Sequence, residues 1–259
     1  QLAALGKGSL VGSIITGNSD IATRLSIGAA AYHGRLLILN SSCAKESTGH
    51  GSPLPHLIHG GPGRAGGSEE MGGVRGVKHY MQHTAIQGSP DMLTAITGSW
   101  MQGSQRKIDS VHPFKKHFKE LDIGNSVVTE KRTITLEDIE AFAELSGDKF
   151  YAHMDEAAAK RNPFFEGRVA HGYFLVSMAA GLFVWPDEGP VLANYGMDNL
   201  RFSSPVYPGD EIQVQFTCKQ KVNRENEDYG EVRWDTTLIN QNDEVVANYD
   251  VLTLVAKSQ

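Results

Sequence analysis

The stretch Tyr173-Phe-Leu-Val-Ser-Met-Ala-Ala-Gly-Leu-Phe-Val-Trp185, entered through His171-Gly172, decides the fold. Its near-continuous apolar character predicts a helix that is hydrophobic all round and therefore buried. At this length it is too short to span a bilayer. Downstream, residues 191–195, 200–202, 211–222, 230–240 and 245–255 alternate or run apolar, which predicts strands. Turns fall at Pro205 to Asp210, at the acidic stretch 224–228 and at Asn240 to Asp243. One apolar helix followed by several antiparallel strands predicts an α+β fold with a sheet wrapped around that helix. Such a sheet leaves an edge suited to pairing with a second copy.

Working upstream, residues 126–134 are strand-like, and Thr135-Leu-Glu-Asp138 is a capping box that starts a helix. Ile139, Phe142, Ala143 and Leu145 give that helix its apolar side, and Ser146-Gly147 stops it. Asp148 follows at once and His153 five residues later, before a short helix from Asp155, its N-cap, to Lys160. The chain then reaches Arg168-Val-Ala-His-Gly172. An Asp and a His flanking one turn can hold a water between them, with neutral His as its base. The start of the apolar helix offers free N–H groups and the positive end of a dipole. Each residue taken alone has a plainer reading. Asp148 suits a turn, His153 a structural histidine, His171 a backbone-bonded position, and Arg168 an ion pair with Glu166 or a CoA phosphate.

The first 108 residues differ in kind. They hold 19 of the 28 glycines and a charge of +4, against −10 for residues 109–259. Two units are expected, joined by the polar stretch from Gly98 to Pro113. Residues 9–15 predict a buried strand, 19–31 a helix capped by Ser19 or Asp20, and 35–39 a strand ending at Asn40. That order is the grammar of an α/β sheet. Residues 50–73 are too rich in Gly and Pro for regular structure. His50, His56 and His59 lie there without helical spacing or a carboxylate partner, so they are expected as loop histidines rather than metal ligands. Gly63-Arg-Ala-Gly66 is not a dinucleotide fingerprint, having neither strand before it nor helix after it. Cys43 is expected as a buried, inert thiol.

The net charge of −6 over 259 residues argues against a nucleic-acid binder, and two cysteines argue against a disulfide scaffold. A cytoplasmic, reducing setting is the expectation, with no membrane span and no metal site. Gln1 in place of Met raises the expectation that a longer chain was cut through its first domain.

Two resemblances sharpen these readings. Residues 114–256 resemble the MaoC-like (R)-specific enoyl-CoA hydratases of the hotdog fold, through Ser146-Gly-Asp148, His153, Asp155, Arg168-Val-Ala-His-Gly172 and Leu200-Arg-Phe-Ser-Ser-Pro-Val-Tyr-Pro-Gly-Asp210. The resemblance implies catalysis by Asp148 and His153 and substrate contacts from Gly172, His171 and Arg168. It also implies a CoA-thioester substrate, no cofactor, and a homo-oligomer through hotdog pairing. The chain departs from some members in having Phe150-Tyr151 where they have Asn-Pro. No serine role is carried over, because Ala180 stands near that place and Ser177 three residues earlier.

Gly34-Arg-Leu-Leu-Ile-Leu-Asn40, His59 to Gly73 and Val77-Lys-His-Tyr-Met81 look like the C-terminal end of an aldehyde dehydrogenase. That family's catalytic Cys, general base and NADP site lie upstream of the matching stretch, and neither Cys43 nor Glu69/Glu70 replaces them. Together the units resemble the bifunctional ring-opening enzymes of bacterial phenylacetate degradation. That order implies hydrolytic opening of oxepin-CoA, then oxidation of the resulting aldehyde. A fatty-acyl (R)-hydratase and a non-catalytic assembly module stand as alternatives.

Overall fold

The computed structural model describes residues 1–49, 81 and 84–258, and these divide into two compact units, Gln1–Gln105 and Arg106–Gln259. The loop histidines at 50, 56 and 59, the glycine pair at 63 and 66, and most of the expected glycine-rich loop lie outside the described residues.

In the first unit a single turn α1 (Leu2–Leu5) precedes β1 (Ser9–Ile15), α2 (Ser19–Ala30), β2 (His33–Leu39), β3 (Ala85–Gln87) and α3 (Pro90–Thr97). The three strands form one parallel sheet in the order β1-β2-β3, as the strand–helix–strand pattern predicts. Parallel pairing needs a crossover, and α2 supplies it. Ala22, Leu36, Ile38 and Met92 make the small core. The cap of α2 differs from expectation: Asn18, not Ser19 or Asp20, accepts the Ile21 N–H at 3.0 Å. Cys43 sits half-buried in a turn, with Sγ 3.7 Å from the Ile38 carbonyl oxygen.

The second unit carries β4 (Lys107–Ile108), β5 (Asn125–Val128), β6 (Arg132–Thr133), α4 (Leu136–Ser146), α5 (Tyr151–Met154), α6 (Glu156–Lys160), α7 (Gly172–Phe183) and the long strands β7 (Val191–Phe202), β8 (Glu211–Asn223), β9 (Tyr229–Asn240) and β10 (Val245–Ala256). The sheet order is β4-β5-β8-β9-β10-β7, with β6 also on β8. The long pairs are antiparallel. Two expected strands, 191–195 and 200–202, are one strand: pairing to β10 runs from Val191 to Phe202, with a register shift at Asn199, whose φ of 58° is left-handed. The expected strand 126–134 is instead broken into β5 and β6.

Phe174, Leu175, Ala179 and Phe183 of α7 are buried, and Val214, Phe216, Val232, Trp234 and Leu238 share their core. Phe183 stacks on Phe216 at 4.2 Å between ring centroids, and Phe216 on Trp234 at 4.8 Å. Such offset aromatic contacts add to the apolar burial itself. This is the helix-on-antiparallel-sheet arrangement expected of a hotdog. The helix is not buried all round, however. Tyr173 is 70% exposed, and Ser177 and Gly181 on the same face are exposed too. A sheet covers one side of a helix, and among the described residues the Tyr173 face is left open. Among the described residues no helix is long and apolar enough to cross a membrane.

Candidate active site

Asp148 and His153 owe their places to the end of one helix and the start of another. The capping box forms as expected: Thr135 Oγ1 accepts the Asp138 N–H and the Asp138 carboxylate accepts the Thr135 N–H, both at 3.1 Å. At the other end Gly147 takes a left-handed φ of 78°, which glycine adopts without steric cost. The chain leaves the helix there, and Asp148 comes next. Its carboxylate accepts the Phe150 N–H at 3.3 Å. The single turn α5 then places His153, an element the sequence pattern did not reveal.

Between this turn and the end of β7 runs an extended spine, residues 168–171, that bonds to both sides. Val169 donates its N–H to the Ala152 carbonyl at 3.0 Å, and Ala170 donates to the Val206 carbonyl at 2.8 Å. His153 donates Nδ1–H to the Val169 carbonyl at 2.7 Å. A carbonyl only accepts, so the proton is on Nδ1 and Nε2 is left as the basic nitrogen. Burial holds the His153 pKa below the ordinary value of 6.5, and His171 and Arg168 push it the same way. The Val169 bond and Asp148 oppose them without prevailing. A neutral, basic imidazole results.

His171 is 1% exposed and donates Nε2–H to the Asp148 backbone carbonyl at 2.9 Å. Its Nδ1 is buried, with no partner among the described residues. One polar atom each from Asp148, His153 and His171 lie within 4.8 Å of one another. A metal ion there would meet these three groups. Arg168 donates Nε–H to the His153 carbonyl at 2.6 Å and Nη1–H to Glu140 at 3.0 Å. Its ion pair is thus with Glu140 rather than Glu166, whose N–H goes to Tyr207 Oη at 3.0 Å. Arg168 does not line the pocket and acts on the site through His153.

Asp148, His153, Gly172, Phe164, Phe165 and Phe202 are among the walls of a pocket of about 540 Å³. Gly172 opens α7, and the carbonyl of its N-cap, His171, accepts the Leu175 N–H at 3.1 Å, one turn later. The Gly172 N–H therefore precedes the helical ladder and is free for an incoming oxygen. A Cβ at Gly172 would lie 2.5 Å from Cζ of Phe202, so the missing side chain makes room for a protein ring. Phe202 was quoted within its motif but given no role from sequence. The Phe150 ring stands edge-on to His153 at 6.0 Å.

Residues 119–239 match the family profile of the MaoC like domain. Residues 119–239 are a MaoC-like domain. "Protein MaoC" of Klebsiella aerogenes is 59% identical over 220 residues, covering 85% of this chain and 65% of that protein. The match is longer than the second unit, so it reaches into the first. A 3-hydroxybutyryl-CoA dehydratase of Methylorubrum extorquens is 32% identical over 99 residues, 38% of this chain and 61% of that protein. The chain thus spans just under two thirds of each relative. A solved structure titled as a monoamine oxidase regulatory protein from Archaeoglobus is 27% identical with a TM-score of 0.53, covering 60% of this chain and all of that one. The MaoC-like domain has the hotdog architecture, and its pocket lies where α7 begins.

Proposed function

We propose that the MaoC-like domain adds water across a C=C conjugated to a CoA thioester, and that its substrate is oxepin-CoA. The carrying observation is the His153 tautomer: Nδ1–H is fixed on Val169, which leaves Nε2 basic beside the Asp148 carboxylate at the start of α7. Asp148 accepts a hydrogen bond from a water while His153 Nε2 takes its proton. The hydroxyl adds to the β-carbon, and the thioester oxygen gathers enolate charge against the Gly172 N–H and the helix dipole. His153 returns the proton to the α-carbon. In an enol ether the β-carbon carries the ring oxygen, so the adduct is a hemiketal. The new hydroxyl gives up its proton and becomes a ketone as the bond to the ring oxygen breaks, and the ring oxygen takes up that proton and departs as an enol that becomes an aldehyde.

The first unit fits the C-terminal part of an aldehyde dehydrogenase that oxidises that aldehyde with NADP. Its three-stranded parallel sheet and its motifs support this reading. Cytoplasmic location and pairing of copies complete the proposal. Asp148→Asn and His153→Ala should each lose at least about a hundredfold in ring opening, without release of free CoA thiol. Loss of neither would leave a non-catalytic module, and free thiol would mean a thioesterase.

The dehydratase relative favours a second reading, an (R)-specific enoyl-CoA hydratase for fatty acyl chains. Hydration of crotonyl-CoA with oxepin-CoA left intact would decide for it.

A further inference from the structure

Gly172 and Phe202 meet more closely than any side chain at 172 would allow. Three ring carbons of Phe202 lie 2.5, 2.7 and 2.9 Å from where a Cβ of residue 172 would stand. The ring is held on a firm backbone. Phe202 ends β7 opposite Ala247 of β10, and Ser203 N–H binds the Val246 carbonyl at 2.8 Å. The spine 168–171 bonds to the His153 turn on one side, through Ala152, and to the Phe202–Val206 segment on the other, through Val206. The mouth of α7 is therefore flanked by the acid–base pair on one side and by Phe202 on the other. The ring lines the pocket and is 47% exposed, so it borders space that a substrate can enter.

We infer that Phe202 is a specificity residue for the α-carbon of the thioester, its ring leaving room beside the Gly172 N–H only for an α-carbon without a branch. This rests on the hydration reading above, in which the thioester oxygen lies on that N–H. The carbonyl carbon then sits next to the ring, and the α-carbon is one bond further. A methyl there competes with Phe202 for the same volume. One methylene is worth roughly 10–200-fold in discrimination by a close-fitting apolar wall.

The test compares kcat/KM for crotonyl-CoA and 2-methylcrotonyl-CoA in the parent chain, Phe202→Ala and Phe202→Leu. The parent should prefer the unbranched substrate at least about tenfold, and Phe202→Ala should shrink that preference about tenfold by improving the branched substrate, with Phe202→Leu between. A preference unchanged in both variants, or both substrates lost in equal proportion, overturns the inference. Thermal unfolding gives a readout free of activity: Gly172→Ala should lower Tm, and adding Phe202→Ala should restore part of it. Additive Tm losses would remove the contact on which the inference stands. Failure of the parent chain to hydrate any enoyl-CoA would instead sink the hydration reading, with the Tm comparison still reporting on the contact.

Discussion

The imidazoles of His153 and His171 stack at 3.8 Å between ring centroids, with 26° between their planes. Each gives its one N–H to a backbone carbonyl, Val169 for His153 and Asp148 for His171. A proton added to either ring would place a charge against the other in a half-buried site. Burial and this neighbour both hold the His153 pKa below 6.5. The stack therefore keeps the base unprotonated while fixing the carboxylate's backbone beside it.

The pH profile of kcat/KM should accordingly hold its plateau to below pH 6.5 and fall on the acid side through the depressed pKa of His153. His171→Phe keeps a flat ring but removes the Asp148 strut and the neighbouring imidazole. We expect kcat to drop about tenfold, less than the roughly hundredfold or more of a lost acid–base group, and the acid limb to move toward higher pH. An unmoved limb would deny His171 any influence on His153. Stability carries the same sign. The unfolded chain binds a proton at 6.5 and the folded one only at lower pH, so this contribution is complete above 6.5 and is lost as pH falls through the window below it.

Arg168 separates two roles by measurement. Its donors go to the His153 carbonyl and to Glu140, and its side chain is 13% exposed. Arg168→Met should cut kcat several-fold and lower Tm while KM for the CoA thioester stays unchanged. Arg168→Lys should rescue only weakly, since one ammonium cannot reproduce the guanidinium fork. A raised KM for CoA thioesters, with KM for a pantetheine thioester unchanged, would show instead that Arg168 holds a CoA phosphate.

Much of this architecture was legible where local chemistry dictates local structure. Thr135 and Asp138 specify their own capping box, and the alternating runs specify the long strands. The site was legible as a spacing, Asp148 to His153 and His-Gly at a helix start, but not as a mechanism. That His171 turns its N–H to Asp148, or that Arg168 reaches Glu140 rather than Glu166, depends on contacts between residues 23 and 28 positions apart. No local pattern encodes such choices. Phe202 escaped notice for the same reason: an aromatic at a strand end looks like any core residue until its ring is found against Gly172. The exposed face of α7 was misjudged because composition reports how apolar a helix is, not how many sides are covered.

Replacing Thr135 by Ala should cost about 1 kcal/mol, the usual worth of an N-cap hydroxyl. The loss exposes one backbone donor, the Asp138 N–H, at the start of the helix that ends just before Asp148. Chemical denaturation should register it as a lower midpoint with an unchanged slope, and kcat should hold, because the Gly147 turn is twelve residues away at the other end of the helix. A fall in kcat larger than twofold at full folding would mean that the two helix ends are coupled.

The edge strand makes the last prediction. β7 ends the sheet order, is 12 residues long, and exposes Leu192, Tyr195 and Met197. The exposed face of α7 adds Tyr173. A long apolar edge with open backbone groups is a liability unless another strand or chain covers it. Two copies pairing through β7 would cover it by the isologous contact that a two-fold axis provides. Light scattering coupled to size exclusion should give a mass of an even number of chains. Tyr195→Lys together with Met197→Lys should halve it, because like charges then face one another across the axis. A monomer in the parent chain would refute edge pairing, and an unchanged mass in the double variant would place the contact elsewhere.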